Sequence, residues 1–187
     1  EIGLPRNDCI INEETRKSIN IKVRKQLEVD LDTTLILVAP TFRNSKNFHC
    51  DLFNNKQLQE TMQSLYGKYK ILFRTHYMSS QNENHNDNII NVNYWHDMQE
   101  LLCASDILIS DYSSCIWDFS LSYKPCFIFA PDLKEYKLER DFYMDITKWP
   151  FPLATTIEDF CSNIMHFNNE KYNEAIAYLH NSAQDKA

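Results

Sequence analysis

Glycine is nearly missing from this chain: Gly3 and Gly67 are the only two among 187 residues. Both common glycine-rich phosphate loops are thereby excluded, because each needs several glycines so that backbone amides can close on the phosphates. A bound phosphate must instead be held by hydroxyls, side-chain cations and the amides of helix ends. Positive charge is also in short supply. The formal net charge of −7 argues against a general nucleic-acid binder, which carries a basic face. It leaves a phosphate ligand open, because a few local cations decide that. No apolar run is long enough to cross a bilayer, and no secretory leader is expected. No C-x-x-C pair occurs among the six cysteines, Cys9, Cys50, Cys103, Cys115, Cys126 and Cys161. Several stand in apolar runs, where a thiol behaves as a small hydrophobe, so reduced thiols are expected rather than disulfides or a zinc site. No carboxylate cluster suits Mg²⁺, although substrate phosphates could recruit one.

What the chain does have is a core. Hydrophobic residues make up 43% of it, and its length suits one full α/β domain. Short apolar runs alternate with stretches of helical periodicity. Helices are expected over Glu13–Val29 (capped by Asn12), Lys56–Tyr66, Asp97–Ala104, Ser113–Ser122, Ile157–Phe167 and Glu170–His180. Strands are expected over Leu35–Ala39, Lys70–Phe73, Ile89–Val92, Ile107–Ile109 and Cys126–Phe129. The Asn-rich stretch Ser79–Asn88 reads as an exposed loop. This alternation predicts a parallel sheet built from βαβ units, with helices on both faces.

The most informative stretch is Leu101–Ser120, which reads as helix end, buried strand, polar turn and helix start. The turn Ser110-Asp111-Tyr112-Ser113-Ser114 sits where helix-end amides and the helix dipole favour an anion. Every other strand also ends in a polar cluster: Pro40-Thr41-Phe42-Arg43, Arg74-Thr75-His76, Tyr94-Trp95-His96-Asp97 and Pro131-Asp132. In a parallel sheet all carboxyl ends lie along one edge, so these clusters should converge on one crevice.

Each candidate has a plain alternative. Ser113 and Ser114 could merely cap the next helix. Asp111 could hydrogen-bond its own turn, and Asp118 could form a salt bridge or hold a loop. Arg43 could grip a phosphate with its planar fork, or make an ordinary surface ion pair. Arg74 and His76, two residues apart, would point the same way in an extended segment and suit a diphosphate or its leaving group. The other five histidines show no metal-ligand spacing and read as surface or structural. Trp95, Trp117 and Trp149 read as core or interface. Tyr94 and Pro131–Tyr136 could shape a base or sugar pocket.

Taken in order, Gly3–Asp8, Ala39–Arg43, Arg74–His76, Ser105–Ser114, Asp118-Phe119, Lys124-Pro125 and Ala130–Tyr136 resemble the carboxyl-terminal half of the CDP-glycerol glycerophosphotransferases. These are the teichoic acid primases and polymerases and related capsule enzymes. The resemblance runs from Gly3 to about Asp159. It implies a GT-B-like fold in which two Rossmann-like domains face across a cleft. Residues 1–187 would form the second, donor-binding domain, with 1–12 as the interdomain join and 157–187 as closing helices. The chain is then expected to be a piece of a longer protein, inactive alone, whose N-terminal domain is missing from this sequence.

The resemblance further implies a transferase that moves glycerol phosphate, or a related alditol phosphate, from a CDP-activated donor to a hydroxyl of a membrane-linked acceptor. By position, His76 would be catalytic, contacting the donor phosphates and stabilising charge on departing CMP. Ser113 and Ser114 would bind the diphosphate, with Asp111 in the same turn. Arg43 and Arg74 would neutralise or position it. Asp118 would brace the turn or meet the polyol. A second histidine, the base toward the acceptor, would lie in the missing domain. No cofactor beyond the donor is implied, nor any nucleic-acid partner, and oligomer formation is left open. The implied location is cytoplasmic, peripheral on the inner face of the membrane. Tyr77 replaces the usual Pro, and Ser110 the commoner Thr. Competing readings are a nucleotide-sugar glycosyltransferase of GT-B fold and a non-catalytic doubly wound binding module.

Overall fold

The computed structural model describes residues 4–41, 52–74, 87–140 and 144–184. Six strands form one parallel sheet in the order β3-β2-β1-β4-β5-β6: β1 Thr34–Ala39, β2 Tyr69–Phe73, β3 Ile89–Asn91, β4 Ile107–Ser110, β5 Cys126–Phe129 and β6 Leu153–Ala154. This is the doubly wound, Rossmann-like order, which runs outward in both directions from a central strand. Five of the strands fall where the apolar runs predict them. The sixth, two residues long, was not expected.

Alternation along the strands sorts their side chains into two cores. Leu35, Leu37, Leu108, Cys126 and Ile128 face one side. Helices α1 (Asp8–Ile11), α2 (Glu13–Gln26), α4 (Met98–Ala104), α5 (Cys115–Ser120) and α8 (Asn169–Gln184) cover it with Ile10, Val23, Leu102, Phe119 and Ile176. Ile36, Val38, Ile71, Ile109, Phe127 and Phe129 face the other side. There α3 (Lys56–Tyr66) and α7 (Ile157–Met165) supply Leu58, Met62, Phe160 and Ile164. A central strand buried on both faces must be apolar at every position, and Leu35–Ala39 is.

Local chemistry fixes the helix ends. Asn12 caps α2 by accepting from the Thr15 amide at 2.9 Å, and Asn55 caps α3 through Leu58 N at 3.0 Å. Gly67 ends α3 with φ near +60°. A Cβ there would meet no atom within 4 Å, so backbone conformation alone favours glycine. Two α-helices escaped the sequence reading: the single turn α1 (Asp8–Ile11), and α6 (Leu133–Glu139), which has no fully buried residue and leaves Leu138 89% exposed. The helix expected over Ser113–Ser122 is shorter, starting at Cys115 and ending at Ser120. Among the described residues no helix is long and apolar enough to cross a membrane.

Candidate phosphate site at the carboxyl edge

Register decides which loop tips are neighbours. Val38 pairs with Phe73 on one side and Ile109 on the other, and Ala39 pairs with Ser110. Arg74, one residue past Phe73, therefore lies in the row of Ala39 and Ser110, two strands or about 10 Å from Ser110. Its backbone N–H continues the ladder to Val38 O at 2.9 Å.

The tips of β1 and β4 are tied by one carboxylate oxygen. Asp111, fully buried, accepts at Oδ1 from Thr41 N (2.8 Å), Thr41 Oγ1 (2.5 Å) and Tyr112 N (2.6 Å). The Ser110 hydroxyl adds a second tie, donating to Ala39 O at 2.6 Å. A buried carboxylate that accepts this many donors organises backbone rather than facing a phosphate. The Tyr112 hydroxyl donates to Asp132 at 3.1 Å, and the Tyr112 ring stacks on Tyr136 with centroids 3.7 Å apart. The tip of β5 thus joins the same assembly.

Ser113 and Ser114 follow on the surface of that turn, half-buried and exposed respectively. The expected capping is weak. Ser114 holds the cap position without a side-chain bond, and Ser113 Oγ accepts from Cys115 N only at 3.4 Å. Among the described residues, neither serine's backbone N–H donates to an acceptor, and the Ser114 hydroxyl has no partner. Arg74 is half-buried, and its guanidinium donates to Met98 Sδ at 2.8 Å and to Trp95 O at 3.3 Å. Neither partner carries charge, so among the described residues the cation is oriented but not neutralised.

Asp118 takes the bracing role. It is 6% exposed and accepts from Asn7 Nδ2 (2.8 Å), Arg6 Nε (3.1 Å), Arg6 Nη2 (3.4 Å) and Gln99 Nε2 (3.2 Å). These contacts occupy both oxygens and pin the segment around Leu4–Asp8 onto α5, directly behind the two serines. Arg43 and His76, with Cys50 and the loop residues 79–86, lie outside the described residues. The sequence reading missed the partners of Arg74, Met98 and Trp95. They come from the loop and helix after β3 and carry no local signal.

The described cysteines standing in apolar runs pack as small hydrophobes. Cys103, Cys115, Cys126 and Cys161 are buried free thiols, and Cys9 is half-buried. Burial pushes the Cys103 thiol up to about 12, and Cys115 and Cys126 also shift upward for the same reason. These three are therefore not thiolate nucleophiles near neutral pH. His180 is structural, 3.1 Å from the Ser120 hydroxyl and stacked on Tyr123. Trp117 packs edge-on against Trp149 and Phe151. Among the described residues no group of His, Cys, Asp and Glu could hold a metal ion.

Fold and rim together define a Rossmann-like domain whose described ends of β1, β4 and β5 are tied to one another at the carboxyl edge of the sheet. Its sequence matches the family described as CDP-Glycerol:Poly(glycerophosphate) glycerophosphotransferase over residues 1–184. The chain belongs to that family. It is 30% identical to the teichoic acid poly(glycerol phosphate) polymerase of Bacillus subtilis (strain 168), over 95% of this chain and 25% of that protein. It is 32% identical to the teichoic acid glycerol-phosphate transferase of Staphylococcus aureus (strain NCTC 8325 / PS 47), over 91% of this chain and 46% of that protein. The solved structure of the wall teichoic acid polymerase TagF superposes with a TM-score of 0.78 at 30% identity, covering 97% of this chain and 46% of that one. The chain therefore spans from a quarter to about half the length of the relatives it matches.

Proposed function

We propose that this chain is the donor-binding half of a transferase that moves glycerol phosphate, or a related alditol phosphate, from a CDP-activated donor to a hydroxyl of a membrane-linked acceptor. The observation that carries the proposal is the rim itself. Among the described residues, an Arg74 guanidinium with no charged partner and Ser113 and Ser114 amides that donate to no acceptor stand on one edge of the sheet. Such a set complements a pyrophosphate, whose oxygens only accept. Membership of the glycerophosphotransferase family supplies the chemistry of the ligand.

In the reaction an acceptor oxygen forms a bond to the phosphorus bearing the alditol. The bond from that phosphorus to the bridging oxygen breaks, and CMP leaves with the electron pair. Negative charge grows on CMP, so a fixed guanidinium and serine donors aimed at the bridging region lower the barrier. His76 is assigned the contact with the departing phosphate and Arg43 a second grip on it. Asp111 and Asp118 hold the two sides of the turn. On this reading residues 1–12 join to a second Rossmann-like domain of a GT-B pair, which holds the base toward the acceptor hydroxyl. Residues 157–187 close the donor domain. The intact enzyme works on the cytoplasmic face of the membrane in teichoic acid or capsule synthesis.

Isothermal calorimetry of the full chain tests the assignment. CDP-glycerol should bind more tightly than CMP, and UDP- and GDP-linked donors more weakly. Arg74→Ala should weaken CDP-glycerol binding by about 10- to 100-fold, the worth of a charge-assisted contact. Absence of heat with either CDP-glycerol or CMP at millimolar concentration would overturn it.

A further inference from the structure

The guanidinium of Arg74 raises a question of aim. An arginine side chain has several free torsions, and one that faces ligand without a carboxylate partner loses rotamer freedom when it binds. Here it is already held. Met98 Sδ and Trp95 O take one N–H from each terminal nitrogen, which fixes the plane of the fork. Of the five N–H donors of an arginine, three remain for ligand. The aim therefore depends on how firmly Trp95 and Met98 are placed.

Trp95 lies in an irregular stretch between β3 and α4, where no ladder holds it. Three bonds substitute. Its backbone N–H donates to Val92 O at 3.0 Å, its indole Nε1–H donates to Glu100 Oε2 at 3.0 Å, and its carbonyl receives Arg74. Glu100 is itself anchored. Its Oε1 pairs with Lys22 Nζ of α2 at 2.5 Å, and its side chain is 21% exposed. Lys22 and the indole hydrogen bond hold the Glu100 carboxyl below the usual carboxylate range, so it stays an acceptor at neutral pH. A continuous path then runs Lys22–Glu100–Trp95–Arg74, from the outer helix layer to the rim. Met98, the other partner of Arg74, stands two residues before Glu100 in the same helical turn.

We infer that Glu100, acting through Trp95, is a positioning residue that holds the Arg74 guanidinium in the orientation a diphosphate requires. This rests on the reading of Arg74 as a phosphate contact. Glu100 touches no substrate. It prepays the ordering of the arginine, so its removal should weaken diphosphate recognition while leaving the rest of the nucleotide site intact.

The test is a double-mutant cycle on the full chain, read by calorimetry with CDP-glycerol and with cytidine, which lacks phosphate. Glu100→Ala should weaken CDP-glycerol about fivefold, within the range of coupling between residues in contact, and leave cytidine binding unchanged. Glu100→Gln keeps a carbonyl oxygen for the indole N–H and should restore most of the affinity. In an Arg74→Ala background Glu100→Ala should cost nothing further. Additive losses, or equal losses for CDP-glycerol and cytidine, would show that Glu100 only knits α2 to α4 and would overturn the inference. If Arg74→Ala itself leaves CDP-glycerol binding unchanged, the phosphate reading fails instead. Thermal melts of each variant separate loss of fold from loss of aim.

Discussion

Two arginines of this molecule are buried to different degrees and satisfied in opposite ways. Arg24, at the amino edge of the sheet, is 4% exposed. It donates to Asn20 Oδ1 (3.0 Å), Asp30 O (2.9 Å), Thr33 O (2.7 Å) and Asp106 Oδ2 (2.7 Å). Asp106 Oδ2 also takes the Leu35 amide at 2.9 Å, so this cation fastens α2 to the starts of β1 and β4. Arg74, at the carboxyl edge, has a thioether and one carbonyl. The same side chain serves as a fastener where its charge is cancelled. At the carboxyl edge no described residue cancels its charge, and the proposed function gives that charge to an anion. The amino edge repeats the lesson with Lys68 between Asp30 (2.5 Å) and Asp32 (3.1 Å), and Lys124 near Asp106 at 3.7 Å.

Substitutions can break that contrast, and the largest effect should come from the fastener. Arg24→Ala removes a buried partner from Asp106 and should cost about 3 kcal/mol of stability in urea denaturation. A cost below half of that would mean that the network is slack. Asp118→Ala should come next at about 1.5 kcal/mol, from the buried bonds to Asn7 and Gln99. The Arg6 pair adds little because that side chain is 51% exposed. Amide exchange should rise in residues 5–11 and spare β1. Arg74→Ala should change stability by no more than about 0.5 kcal/mol while CDP-glycerol binding falls. A large stability loss would make Arg74 another fastener.

The smallest effect should be at His180, whose pKa burial holds below its ordinary value of 6.5. The folded state favours the neutral ring, so this contribution is complete above about pH 6.5 and is lost as pH falls through the lowered folded value. His180→Gln should flatten that part of the melting profile between pH 7 and 5, and an unchanged slope would count against it.

The sequence made the sheet legible because burial on both faces forces continuous apolar runs. Lys56–Tyr66 and Cys126–Phe129 could be read to the residue. The first is bounded by a capping Asn55 and by Gly67, the second by Pro125 and by Pro131 shortly beyond its end. Leu153–Ala154 was not legible, since two residues carry no periodicity. Leu133–Glu139 was not legible because a helix with no fully buried residue has no continuous apolar stripe to show. Arg43 and His76 lie outside the described residues; the described polar tips were legible as a set, since parallel strands must end on one edge. Their internal wiring was not. Arg6 and Asn7 meet Asp118 across more than a hundred residues, and no spacing rule reaches that far.

Thr41 and Tyr112 bind a single oxygen of a carboxylate that water does not reach. That knot sets the spacing between the ends of β1 and β4 before anything arrives. On the proposed reading, a donor seated beside Thr41 and Tyr112 meets a spacing already set by that carboxylate, so selection at this point should follow the donor's own shape.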